Sequence, residues 1–312
     1  MFQFSQSAHG RAASGRGRRR TVPNGTIRQV INTTGAAVAP RAGPRGGQTT
    51  GARRPEVTVA PTGARRTSAD HPQLPITIDE IAVCARLCQA AGAQRIHLHV
   101  RDDTGAHSLD CGRYREATAA VRAAAPGMAI QLTTEAAGRF GVAAQLAVIE
   151  GLRPGEASVS IRETMRDRAL AARLYAAAAE AGTNVQHILY DLQDIALLRR
   201  AQAAGIVPDT SGGFLLVLGR YQPPRDAQAG DLAPLLAALQ PGAAGWSACA
   251  FGRSEHACLI RAAAMGGHLR VGFENNVCRP DGTLARDNAE NVARIVNMVR
   301  GSARALPAKV SA

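Results

Sequence analysis

The sequence predicts an α/β protein folded as a (β/α)8 TIM barrel. Between residues 56 and 300, eight short stretches with the composition of strands alternate with longer stretches that have helical periodicity. The number of units and the length of this region are typical of the fold. A doubly wound sheet is disfavoured, because no Gly-x-Gly-x-x-Gly turn follows the first predicted strand.

The predicted elements follow one another in regular alternation. Thr77 as N-cap and Glu80 three residues later form a capping box that predicts a helix beginning near Ile78. The predicted strands cover residues 56–61, 97–100, 128–133, 157–161, 184–189, 214–219, 246–250 and 269–273. The other predicted helices cover residues 111–124, 143–150, 169–181, 193–204, 232–239, 255–265 and 288–299. In this fold the active site lies at the carboxyl ends of the strands.

Residues 1–54 differ in composition from the rest of the chain. They contain ten arginines, no lysine and no acidic residue, and so carry +10 of the formal charge of +13. With few large apolar residues they cannot bury enough surface to offset the entropy of ordering. We therefore predict a disordered basic extension over residues 1–54 and a catalytic barrel domain over residues 55–312. The barrel retains only +3, which does not indicate a surface for nucleic acid.

The composition also excludes some chemistry. The single lysine, Lys309, lies in the C-terminal tail, so a mechanism that forms a Schiff base with a buried lysine is excluded. The six cysteines form no C-x-x-C pair, and no apolar run approaches the roughly 20 residues of a membrane span. We expect a cytoplasmic protein that does not associate with membranes, and a homo-oligomer.

The strongest motif is the stretch Ile96–Asp102, with the sequence IHLHVRD. Side chains alternate along a strand, so His97 and His99 point to the same side. Two such imidazoles can bind one divalent ion, and Glu274, which follows the last predicted strand, can supply a third ligand. Two histidines, one glutamate and an open position are typical of a catalytic zinc site.

Polar side chains are also found at the carboxyl ends of most other predicted strands. They are Arg65, Thr133, Glu135, Ser160, His187, Tyr190, Arg253, Arg270 and Asn275. Several are arginines, and arginines gathered around a metal indicate a site that attracts anionic substrates.

These motifs resemble the β-keto acid cleavage enzyme family. The likeness is carried chiefly by residues 57–64 (VTVAPTGA), 96–102 and 270–276 (RVGFENN), and it extends in order from residue 56 to about residue 300. The resemblance implies a zinc TIM barrel that condenses a β-keto acid with acetyl-CoA to give acetoacetate and a new acyl-CoA. It also implies that the three metal-binding residues named above are the zinc ligands.

Further roles follow from the same resemblance. Arg270 corresponds to the catalytic arginine of the family, and Thr133 and Ser160 fall where hydroxyls hold the keto acid. Arg253, which follows the seventh predicted strand, is our candidate for binding the phosphates of CoA.

The chain departs from the family pattern at two positions. Asn275 replaces an aspartate that often pairs with the catalytic arginine; an amide can orient a substrate but cannot accept a proton at neutral pH. We therefore predict that Glu135 or Asp102 is the base. Arg65 stands where members acting on amino-substituted substrates have an acidic residue, which predicts a substrate with a second anionic or strongly polar end. Alternatively, Arg65 pairs with Glu135 or Asp102 and leaves an apolar pocket.

Two other functions are compatible with parts of the sequence. One is that of a different metal-dependent TIM-barrel hydrolase or lyase, such as an amidohydrolase. Those enzymes carry H-x-H on the first strand, a bridging lysine and a final aspartate, whereas this chain has Glu274 and no such lysine. The other is nucleic-acid binding through residues 1–54, which lack an accompanying aromatic motif.

Overall fold

The alternating pattern folds into a closed parallel barrel, as predicted. The computed structural model describes residues 54–209, 212–221, 223–239 and 245–305. The barrel strands are β1 (Val57–Val59), β2 (Arg95–Leu98), β5 (Ala129–Thr133), β6 (Glu156–Ser160), β7 (Asn184–Leu189), β8 (Phe214–Leu218), β9 (Trp246–Ala250) and β10 (His268–Val271). Neighbouring barrel strands follow the order β1-β10-β9-β8-β7-β6-β5-β2, and the pairing of β1 with β2 closes the barrel.

Helices surround the barrel and cover its outer face. They are α1 (Ile78–Ala91), α2 (Cys111–Ala124), α3 (Val142–Leu152), α4 (Ile161–Thr164), α5 (Arg168–Ala181), α6 (Leu192–Ala203), α7 (Leu232–Leu239), α8 (Glu255–Ala264) and α9 (Asn288–Ala305). The predicted capping box at Thr77 is confirmed: the Glu80 backbone N–H donates to Thr77 Oγ1 at 3.2 Å, and the Thr77 N–H donates to a Glu80 carboxylate oxygen at 2.9 Å. None of the helices in the described residues is both long and apolar enough to cross a membrane.

Alternation along the strands separates the core from the barrel interior. Outward-facing residues such as Ile96, Leu98 and Leu132 are buried in the main hydrophobic core together with residues of the helices. The intervening residues, among them His97 and Gln131, face inward. This arrangement leaves the inner face available for polar chemistry without weakening the core that supports the fold.

A short hairpin and a short helix were not predicted. Beyond Leu98 the chain leaves the barrel, and β3 (Val100–Arg101) pairs antiparallel with β4 (His107–Ser108). The four-residue helix α4 follows β6 directly. Elements of two to four residues are too short to produce a recognisable period. The predicted disordered extension lies outside the described residues, apart from Arg54, and stays a prediction.

Candidate active site

Three predicted metal ligands converge at the carboxyl end of the barrel. The Nε2 atoms of His97 and His99 lie 3.1 Å apart. Glu274 Oε2 lies 3.4 Å from His99 Nε2 and 3.6 Å from His97 Nε2. All three side chains are almost fully buried, and no other group of the described residues brings three potential ligand atoms together in this way.

The protonation of these groups suits a cation. Burial lowers the pKa of His97 to about 3, so its imidazole is neutral, as a metal ligand must be. Burial alone would raise the pKa of Glu274, but Arg270 and the two histidines hold it well below its usual range. Glu274 Oε2 is buried and has no hydrogen bond. Two imidazole nitrogens and an unsatisfied carboxylate oxygen form a donor set that fits a divalent metal.

Two glycines allow Glu274 to reach the histidines. Gly272 has a φ of 144°, and a Cβ atom there would lie 2.4 Å from the Ala60 carbonyl oxygen. Gly63, with a φ of 64°, packs against Glu274 so closely that a Cβ atom would lie 2.5 Å from its Cγ. Gly63 and Gly272 thus allow the loops after β1 and β10 to approach each other closely.

Arg270 lies beside the ligands. Its Nη2 donates to Glu274 Oε1 at 3.1 Å and to Cys249 Sγ at 3.3 Å, while Nε and Nη1 are buried without partners. A buried guanidinium with two unused donor atoms is suited to bind an anionic oxygen of a substrate.

A second carboxylate, that of Glu135, lies beside the proposed metal ligands. Its Oε2 lies 3.9 Å from His99 Nε2, and burial raises the pKa of its carboxyl group. The other predicted base, Asp102, instead stabilises the turn between β3 and β4 by accepting hydrogen bonds from Thr104 and Ala106. The geometry therefore favours Glu135 over Asp102.

Predicted substrate-binding groups also line this end of the barrel. The hydroxyl of Ser160 and both polar atoms of the Asn275 side chain are buried without hydrogen-bond partners. Thr133 Oγ1 accepts a hydrogen bond from the Glu135 N–H at 3.0 Å, which leaves its own hydrogen available. We call His97, His99, Thr133, Ser160, Arg270 and Glu274 the polar wall.

The opposite side of the barrel mouth is apolar. Inward-facing residues of β7, β8 and β9 form a separate cluster, with Tyr190 and Tyr221 packed against it. We call this cluster the apolar wall; it consists of Ile188, Leu215, Val217, Cys249 and Phe251.

The loop after β1 carries two arginines to the mouth. Arg101, only 5% exposed, holds this loop through hydrogen bonds to the carbonyls of Gly63 and Arg66. Arg65 is more exposed and lies 3.8 Å from Glu135, so the pairing considered as an alternative is present. Arg66 points inward, and its Nη2 donates to the Asn275 carbonyl at 3.4 Å. Both guanidinium groups lie within 6 Å of the Tyr221 ring centroid.

Two other residues, Arg253 and His187, are predicted at the barrel mouth from the sequence. Arg253 is exposed after β9. His187 faces outward, where its Nδ1 lies 3.2 Å from the Tyr175 hydroxyl of α5, so its predicted position at the mouth is wrong. Side chains alternate along β7, and Ile188 rather than His187 belongs to its inner face.

Sequence reasoning missed two groups at the site. Gln131 Oε1 accepts a hydrogen bond from His97 Nδ1 at 2.8 Å, and its position two residues before Thr133 on an alternating strand could have indicated an inward-facing polar side chain. Tyr221 lies in an irregular loop, where no periodicity gives its direction.

Comparisons with known proteins identify the family. The family model for the beta-keto acid cleavage enzyme matches residues 56–310. A 3-keto-5-aminohexanoate cleavage enzyme of Fusobacterium nucleatum is 30% identical over 263 residues, covering 78% of this chain and 90% of that protein. A 3-oxoadipate:acetyl-CoA acetyltransferase of Cupriavidus necator is 27% identical, covering 77% and 86%.

A solved structure supports the fold. The apo structure of ObcA superposes with a TM-score of 0.55 at 17% identity, and the match covers 74% of this chain and 62% of ObcA. At this identity the likeness concerns the fold alone, whereas the family match spans most of the chain. The chain belongs to the beta-keto acid cleavage enzyme family.

Proposed function

We propose that this protein is a zinc-dependent enzyme that transfers the acyl group of a β-keto acid to CoA, using acetyl-CoA and releasing acetoacetate. The observation that carries the proposal is the convergence of buried polar atoms without partners on the His97–His99–Glu274 cluster. Buried polar groups are normally hydrogen-bonded, so several orphans at one barrel mouth indicate groups that await a ligand. The family match gives the reaction class.

His97, His99 and Glu274 would hold the metal, and Arg270 would keep Glu274 ionised. A zinc ion bound there supplies Lewis-acid polarisation of the keto and carboxylate oxygens. Ser160, Thr133 and Asn275 orient the keto acid through their free hydrogen-bonding atoms. The apolar wall excludes water and thereby strengthens these electrostatic contacts.

The reaction begins when Glu135 takes a proton from the carbon between the keto and carboxylate groups. Arg270 stabilises the negative charge that develops on oxygen. The carbanion attacks the acetyl thioester and displaces the CoA thiolate, which then adds to the original keto carbonyl. The bond from that carbonyl to the former carbanion carbon breaks, giving the new acyl-CoA and acetoacetate, whose enolate recovers the proton from Glu135.

The far end of the substrate faces Arg65 and Arg66. Arg65 is partly neutralised by Glu135, whereas Arg66 has a buried Nε without a partner. We therefore extend the predicted anionic preference from Arg65 to the pair, with Arg66 as the inner contact. An ammonium at this end would meet two guanidinium groups, so we expect keto acids with a second carboxylate to be favoured.

A panel of β-keto acids incubated with acetyl-CoA tests this function. We expect acetoacetate and a new acyl-CoA in equal amounts, with 3-oxoadipate giving a higher kcat/KM than 3-keto-5-aminohexanoate. Hydrolysis of acetyl-CoA without acyl exchange would favour a metal-dependent hydrolase instead. Binding of CoA phosphates by Arg253, the homo-oligomeric state and the cytoplasmic location stay predictions.

A further inference from the structure

The barrel interior behind the metal ligands contains a row of polar side chains. Gln131, Gln186 and Ser247 face inward from β5, β7 and β9, the third, fifth and seventh strands of the barrel. Alternate strands of a TIM barrel contribute side chains to the same interior layer, which is usually filled by bulky branched residues. Two glutamines and a serine in one layer are therefore unusual, and their contacts explain why polar side chains lie there.

These side chains form a hydrogen-bonded chain that ends at a metal ligand. Gln186 Nε2 donates to Ser247 Oγ at 3.3 Å, and Gln131 Nε2 donates to Gln186 Oε1 at 3.2 Å. Gln131 Oε1 then lies 2.8 Å from His97 Nδ1. Because the amide nitrogen of Gln131 is used by Gln186, its oxygen faces the imidazole and can only accept.

The direction of this chain determines the tautomer of His97. Nδ1 must carry the hydrogen that Gln131 accepts, so the lone pair of Nε2 points toward His99 and Glu274. By contrast, His99 Nδ1 is buried with no hydrogen-bond partner among the described residues. Of the two histidines, His97 is thus the one whose ring orientation is fixed by a hydrogen bond at Nδ1.

We propose that Gln131, supported by Gln186, is a positioning residue that fixes the tautomer and orientation of His97 for metal binding. This inference rests on the proposed role of His97 as a ligand. A glutamine makes the contact without adding charge, so two neutral imidazoles and one carboxylate leave a bound divalent ion with net positive charge. Loss of such an outer contact typically weakens metal binding about 10- to 100-fold.

Zinc affinity, measured by competition with a chromophoric chelator on metal-depleted protein, tests the proposal apart from activity. Gln131→Leu should bind zinc about 10- to 100-fold more weakly than wild type. Gln131→Glu retains an acceptor and should restore most of the affinity. Gln145→Leu is the matched control, because Gln145 is also fully buried but donates to Thr134 and Glu163, away from the ligands. It should bind zinc as wild type does.

Unchanged zinc affinity in a folded Gln131→Leu variant would overturn the proposal. If that variant does not fold, Gln186→Leu gives the same test. A weaker zinc affinity is expected, and a zinc affinity equal to that of wild type contradicts the proposed role of the hydrogen-bonded glutamines. His97→Ala separates this inference from the proposed function. If wild type and His97→Ala bind zinc equally, the metal site itself is wrong; if only His97→Ala loses zinc while Gln131→Leu keeps it, only the role of Gln131 is wrong.

Discussion

The polar wall and the apolar wall are built by the same barrel but use the inner face of its strands differently. On β2, β5, β6 and β10 the inward positions and the loops that follow carry histidine, hydroxyl, arginine and glutamate side chains. On β7, β8 and β9 the inward positions near the mouth carry Ile188, Leu215, Val217 and Cys249. The outer faces of both sets pack into one continuous core.

The polar wall therefore provides the groups for the chemistry, and the apolar wall excludes water. The polar wall retains buried atoms without partners, which costs stability unless a ligand binds. The apolar wall lowers the local dielectric opposite those atoms and makes each charge on the polar wall more effective. Substitutions on the two walls should therefore affect different measurements.

The largest effect is expected for Glu135→Gln, which removes the proposed base and keeps the shape of the side chain. We predict a fall in kcat of about 10²- to 10⁴-fold, measured as acetoacetate formation at saturating substrates. Asp102→Asn is the control. Asp102 stabilises a turn, and the side-chain oxygen of the asparagine can still accept hydrogen bonds from Thr104 and Ala106. Strong loss in Asp102→Asn with normal turnover in Glu135→Gln would reverse the assignment.

Arg270→Gln should lower kcat about 10²- to 10³-fold, because the charge that stabilises the enolate oxygen is lost. The matched control is Arg95→Gln at the opposite end of the barrel, where Arg95 pairs with Glu56 and Glu156. That variant should unfold at a lower temperature and keep its kcat. Equal kcat losses in the two variants would mean that Arg270 acts through stability alone.

The arginines at the mouth should determine substrate ranking. Arg66→Glu is expected to cost roughly 2 kcal/mol in transition-state binding for a dicarboxylate substrate, about 30-fold in kcat/KM. Arg65→Glu should have a smaller effect, since Arg65 already faces Glu135. Steady-state kinetics with 3-oxoadipate and an amino-substituted keto acid measure both changes. An unchanged ranking in both variants refutes the specificity claim and leaves the condensation chemistry intact.

Glu255 should make the stability of the fold depend on pH. This fully buried carboxyl accepts hydrogen bonds from the Gly272 N–H and the Asn276 amide, and burial raises its pKa to about 8. A raised folded-state pKa means that the stabilisation is complete below about pH 4.5 and is lost as the pH rises toward 8, by up to about 1.4 kcal/mol per pH unit. Buried histidines with lowered pKa values, such as His97, give the opposite slope at lower pH, so urea denaturation of wild type is compared with that of Glu255→Gln. The free energy of unfolding of wild type should fall relative to that of the variant as the pH rises toward 8, and a constant difference between the two proteins would exclude this contribution of Glu255.

The smallest effect on chemistry is expected on the apolar wall. Val217→Thr places a hydroxyl of similar shape among apolar side chains and should lower the free energy of unfolding by about 1–3 kcal/mol. Zinc affinity should stay the same, because Val217 makes no contact that the proposed ligands require. A loss of zinc in this variant would show that the two walls are coupled rather than distinct.

Much of this arrangement could be predicted because the signals were local. The H-x-H spacing placed His97 and His99 on one face, and the R-V-G-x-E stretch brought Glu274 and Arg270 to the same end of the barrel. The sequence could not decide between the two alternatives for Arg65 or predict the inward position of Arg66, since both depend on how a loop without periodicity is held by Arg101. The Gln131–Gln186 contact joins residues 55 positions apart, a distance in sequence at which no periodicity operates.

Reconstitution with metal tests whether the reaction depends on zinc. Protein depleted of metal by chelation is titrated with zinc, and acetoacetate formation from acetyl-CoA and 3-oxoadipate is followed at each step. We predict no turnover at the start, a linear rise, and a plateau at about one zinc per chain, with His99→Ala inactive throughout. Full activity of the metal-depleted protein, or equal reconstitution of the His99→Ala variant, would contradict this prediction.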